Sequence, residues 1–137
     1  MQKPVPVDEE FSFEGRAIVS ETDVEGVITF VNRKFCEISG YTAQELLGQP
    51  HNILRHPDMP KTIFAEMWKT LHAGITAHIV IKNLRKDGKF FWVDTQISPV
   101  YNDDSMLVGY IAARKPVATS DIQEKADAYK KLIDQES

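Results

Sequence analysis

The amino-acid sequence predicts an α+β domain: a five-stranded antiparallel sheet with short helices on one face, followed by a C-terminal helix. Three observations carry this. Two short β-rich runs near the start are separated from three longer ones by helical patterning, giving the order β-β-α-α-α-β-β-β-α. Turn residues lie between neighbouring strands, as antiparallel hairpins require. The chain has no internal repeat, and its 137 residues suit one domain with short extensions.

Each element has a local cause. The runs at 17–22 and 27–31 are rich in β-branched residues, and the polar segment 23–26 between them reads as a hairpin turn. Asn32 is placed to cap a short helix that carries Phe35, Cys36 and Ile38 toward a core, with Gly40 ending it. "YTAQELLG" repeats the grammar in one turn: Thr42 caps, Glu45 follows three residues later, and Gly48 stops it. Residues 60–74 are the strongest helix, with Pro60 at its start, Ile63, Phe64, Met67, Trp68 and Leu71 at helical spacing, and Gly74 at its end. Three strands follow, near 77–85, 89–100 and 106–115, with turns at 86–88 and 102–105. In the middle one Phe91, Val93, Thr95 and Ile97 alternate with Phe90, Trp92, Asp94 and Gln96, and the apolar character of both sets leaves the face of Trp92 open. The last helix, capped by Thr119 or Ser120, brings Ile122, Ala126, Tyr129, Leu132 and Ile133 close to one stripe. Such a stripe docks on the sheet or begins a helix that joins a dimeric partner. Residues 1–10 read as a flexible lead, and "FSFEG" as a segment that packs back on the domain.

Composition excludes several classes. A net charge of −4 argues against a nucleic-acid-binding surface. No stretch approaches the ~20 apolar residues of a membrane span, and the acidic, proline-containing N-terminus is unlike a signal peptide, so a cytoplasmic chain is expected. Cys36 is the only cysteine; it excludes a disulfide framework and reads as a structural thiol. G-x-S-x-G, P-loop, G-x-G-x-x-G and H-E-x-x-H motifs are absent, and no enzymatic activity is expected.

The segment "GQPHNILRHPDMP" (48–60) is unusually rich in rigid and ionisable residues. Arg55 offers a planar fork of donors suited to phosphate, carboxylate or an acceptor edge of a ring. His56 can donate or titrate, Asp58 can orient either one, and Pro50, Pro57 and Pro60 fix the path of the chain. Residue chemistry alone favours a purely structural reading: an Arg–Asp pair, with Asp58 capping the helix that follows. The four histidines, 51, 56, 72 and 78, show no metal-ligand spacing on one helical face.

The run "EGVITFVNRKFCEISGYTAQELLGQP" resembles the PAS sensor family at Gly26, Ile28, Asn32, Phe35, Ser39, Gly40, Tyr41, Glu45, Leu46 and Gly48. "KNLRKDGKFFWVDTQISPVYN" and "GYIAARK" resemble its later hairpin and final strand. The resemblance spans about residues 16–116 and implies a PAS domain at 16–117, an N-terminal extension or cap at 1–15, and a linker or signalling helix at 118–137. "GQPHNILRHPDMPKTIFAEMW" is similar to the PAS domain of bacterial aerotaxis receptors. That likeness implies non-covalent FAD, a redox- or oxygen-sensing role, a downstream signalling domain or receptor partner, and a homodimer. It also implies that Arg55, His56 and Asp58 retain FAD, with Asn83 and Trp68 near the pocket. Flavin-binding members carry a stacking tryptophan where this chain has Ala77, a departure for which Phe64 or Trp92 is the available substitute. The adduct-forming cysteine of light-sensing members is missing from "HNILRH", which argues against covalent photochemistry. PAS folds also serve as unliganded interaction modules or as haem gas sensors, with His56 or His72 as the axial ligand here.

Overall fold

The computed structural model describes residues 3–15 and 17–136. The expected domain boundary at residue 16, and residues 1, 2 and 137 of the two extensions, lie outside the described residues. Strands β1 (Ile18–Thr22) and β2 (Ile28–Val31) lead into helices α1 (Arg33–Ser39) and α2 (Ala43–Leu46), a short 3-10 turn (His51–Leu54) and helix α3 (Lys61–His72). Strands β3 (Ala77–Leu84), β4 (Phe90–Tyr101) and β5 (Leu107–Pro116) follow, and then helix α4 (Thr119–Glu136). The five strands form one antiparallel sheet, as expected, and their order in it is β2-β1-β5-β4-β3.

Local capping explains where the helices sit. Asn32 accepts from Phe35 N at 3.0 Å and from Val19 N at 3.1 Å, so the cap of α1 also ties it to β1. Gly40 closes α1 in the left-handed region (φ 81), which an L side chain rarely adopts. Thr42 and Glu45 form the reciprocal capping box of α2. The 3-10 turn has no counterpart in the sequence reading, because its four residues are too few to show a period.

The sheet has two working faces. Ile81 opposes Val93 and Ile79 opposes the buried Thr95; Ile79, Ile81 and Val93 join Leu46, Leu54 and Ile18 in the core on the side of α1–α3. Alternation sends Trp92 to the other face, where the ring of Tyr129 from α4 stacks on it at 6.2 Å. The C-terminal stripe therefore docks on the sheet of its own chain. Thr119 is the first helical residue of α4.

The expected flexible lead is corrected in part. Val7 donates to Gly88 O at 2.9 Å, Phe11 to Phe90 O at 2.7 Å, and Phe90 to Glu9 O at 3.1 Å. β5 ends with Pro116 opposite Val93, which leaves the start of β4 paired with β3 alone, and the N-terminal segment fills the place on the other side. The Arg85 guanidinium, 3.7 Å from the centre of the Phe11 ring, holds the segment down.

Candidate functional site

A cavity of about 260 Å³ lies between the sheet and α3. Its floor is the inner face of β1, β3, β4 and β5, its wall is α3 with Phe64, Met67, Trp68 and Leu71, and its rim is the 3-10 turn with Arg55. Two larger surface clefts, about 470 and 440 Å³, flank α4. The cavity behind the sheet differs from them in chemistry. Among the described residues, buried polar atoms without a partner are Tyr41 Oη, Thr95 Oγ1, and Nε and Nη1 of Arg114. Thr95 and Arg114 both line this cavity.

Arg114 is the least expected member of the site. It is only 3% exposed, and the Phe35 ring centre lies 4.9 Å from its guanidinium carbon. Its Nη2 lies 2.7 Å from Nε2 of His51, which also sits 3.3 Å from Ser20 Oγ. Burial pushes the His51 pKa down to about 3, and the adjacent guanidinium pushes the same way, so the ring is neutral at physiological pH. Burial lowers Arg114 to about 9, which leaves it charged. A guanidinium can only donate, so His51 Nε2 accepts and its proton resides on Nδ1. The cavity thus holds a buried cation whose nearest partner carries no charge, with two donors unmet. Such a group is costly to bury alone, and an acceptor in the cavity would relieve that cost.

Four of the six expected site residues meet at this cavity: Arg55, Phe64, Trp68 and Asn83. The Arg55 guanidinium carbon sits 4.2 Å from the centre of the Phe64 ring, and its backbone bridges Asn83, which is 4% exposed. Trp68 meets Tyr110 edge-on at 5.2 Å. The other two, His56 and Asp58, do not line it. The backbone pairing at Arg55 makes the segment a short added edge to β3, so neighbouring side chains point to opposite sides. His56 is buried against Phe90, with Nδ1 accepting from Asp58 N at 3.0 Å. Burial first, and Lys82 second, lower its pKa to about 4. Asp58 pairs with Lys82 at 2.8 Å; burial alone would raise its pKa, and Lys82 outweighs that, holding it below the usual carboxylate range. The expected helix cap by Asp58 is not formed: Pro60 precedes α3 without a side-chain cap.

Ala77 is buried in a cluster with Leu71 and Tyr110, packed against Met67, Trp68 and Ile97. The cavity's indole therefore comes from α3. Trp92, the other available ring, lies on the α4 side of the sheet. His56 and His72 do not line the cavity, and among the described residues no group of three or more His, Cys, Asp and Glu is placed to hold a metal. No helix among the described residues is long and apolar enough to cross a membrane.

Sequence reasoning missed His51, Thr95 and Arg114. A signal for Arg114 existed: Tyr110 and Ala112 share its parity on β5, which makes a charged residue face inward.

A five-stranded antiparallel sheet with α1–α3 on one face, and a cavity with polar side chains between the sheet and α3, defines a small α+β domain with an internal cavity. Residues 28–114 match the PAS fold, and the chain belongs to that family. It is 42% identical over 115 residues to the aerotaxis receptor of Escherichia coli, covering 84% of this chain and 22% of that protein. It is 33% identical over 102 residues to the nitrogen fixation regulatory protein of Klebsiella pneumoniae, covering 74% and 21%. The chain thus spans about a fifth of the length of these curated relatives. In fold it is similar to the light-state structure of the blue-light photoreceptor Aureochrome1 LOV, with a TM-score of 0.70, 19% identity, and coverage of 88% of this chain and 91% of that one. It is a PAS sensory domain of the kind found in signalling proteins.

Proposed function

We propose that the cavity holds the ring system of non-covalently bound FAD, and that the domain reads redox state or oxygen for a downstream signalling segment. The observation that carries this reading is Arg114, a buried cation with two unmet donors at a cavity that also presents Trp68, Asn83 and Arg55. The volume of about 260 Å³ lies just below the usual range for a small-molecule pocket, so the ring system alone would enter and the rest of a dinucleotide would leave past Arg55 and Asn52 at the rim. Bound flavin supplies an edge whose charge and hydrogen bonding change on reduction. Arg114 supplies the fixed positive charge toward which added negative charge is favoured. Neutral His51 orients the guanidinium, and Thr95 and Asn83 offer neutral hydrogen-bonding groups. His56 and Asp58 act one step removed, by fixing the loop that presents Arg55.

A change of charge in the cavity would bias the placement of α3 or the sheet, and through them a downstream signalling domain or receptor partner, in a homodimer. Size measurement against concentration tests the dimer; flavin retention after FAD supplementation tests the ligand. A second reading, an unliganded interaction module, is favoured by Ala77, where the resemblance places a stacking ring. Haem sensing has the least support, since His51, the histidine at the cavity, is engaged by Arg114.

A further inference from the structure

Helix α3, which walls the cavity, begins at Pro60–Lys61 without a cap from its own neighbourhood: Pro60 contributes no side-chain hydrogen bond. The first amides of a helix need acceptors, and an anion there also meets the favourable end of the helix dipole. The acceptors come from the other end of the chain. Glu136, the last residue of α4, takes Lys61 N on Oε1 at 2.9 Å, and Thr62 N on Oε2 at 3.1 Å. The same Oε2 accepts from the Thr62 hydroxyl. A second fastening lies two turns earlier, where Tyr129 donates to Val80 O at 2.6 Å on the open edge of β3 and stacks on Trp92.

We infer that Glu136 is the positioning residue for the cavity-wall helix: α3 and α4 form one clasped unit, held by Glu136 at the α3 N-terminus and by Tyr129 on the sheet. The inference does not depend on what fills the cavity. Phe64, Met67, Trp68 and Leu71 reach the cavity from the helix that Glu136 caps, so a shift of α3 is felt at the end of α4 without passing through the sheet. Conversely, any pull on the segment after α4 acts first on the α3 N-terminus.

Native-state amide hydrogen exchange on the ligand-free chain tests this, with substitutions made at each end of the clasp. Glu136→Ala is expected to speed exchange about tenfold at Lys61 and Thr62 and also along α4, the size of effect typical of a lost cap. Thr62→Val places the substitution in α3, and Tyr129→Phe places it in α4. Each is expected to speed exchange about threefold in the other helix as well as its own. Changes confined to the substituted helix would overturn the clasp. Equal loss of protection in β4 and β5 would mean general destabilisation and would overturn it too. Failure of the flavin reading would show separately, as absence of flavin uptake, and leaves this exchange pattern unaffected.

Discussion

Arg114 Nη2 and His51 Nε2 stand 2.7 Å apart, a charged donor against a neutral acceptor, at the cavity of a five-stranded sheet. The pair joins β5 to the 3-10 turn on the cavity rim and leaves two guanidinium donors unspent.

Removing that cation should therefore separate stability from ligand binding. Arg114→Met keeps an apolar stem near Phe35 and deletes the unpaired charge. The ligand-free variant is expected to be as stable as the parent, or more stable by about 1–4 kcal/mol, in urea denaturation. Flavin affinity is expected to fall by more than tenfold. Several kcal/mol of lost apo stability would mean the protein alone satisfies Arg114.

Acid should unfold the domain early. His51 and His56 have native pKa values of about 3 and about 4, both below the ordinary value of 6.5. Above pH 6.5 both states are neutral and neither ring affects stability. Below it the unfolded chain takes up protons that the native state refuses, so stability falls with pH toward about 4 for His56 and about 3 for His51. The loss is at most about 1.4 kcal/mol per pH unit for each ring. Urea titrations across this range check it, and His51→Gln should flatten the curve.

The two sides of the 55–58 segment should behave differently. Arg55→Ala removes a side chain that lines the cavity beside Phe64 and is expected to cost most flavin retention. Asp58→Asn breaks a pair with Lys82 whose carboxylate side is 65% exposed, so it should cost less than about 1 kcal/mol of stability and only a few-fold in affinity. Flavin titrations of the two variants make the comparison.

How far the sequence could be read follows from the same residues. Caps and periods are local, so Asn32, the Thr42–Glu45 box and the Phe64–Met67–Trp68–Leu71 stripe announced their elements within a few residues. Arg55, Trp68 and Asn83 were named through resemblance and Phe64 as a substitute ring, whereas Trp92's face stayed open because Phe90 to Val93 is apolar on both sides. The His51–Arg114 pair spans 63 positions and depends on the sheet order, which no local pattern encodes. The N-terminal pairing was equally hidden: its partner is a gap left by the end of β5.

Gly109 marks where β5 passes the end of β1. A Cβ there would come within 2.0 Å of Thr22 O, a backbone atom that cannot yield without moving the strand. Gly109→Ala is expected to cost about 1–3 kcal/mol, read as a lower urea midpoint with an unchanged slope.

The most direct test of the central claim is the visible absorption spectrum of the purified chain after FAD supplementation and gel filtration, with Arg114→Met alongside. The account predicts flavin bands that co-elute with the parent protein near one flavin per chain and are largely lost in the variant. A colourless parent that is folded and carries no flavin would contradict it.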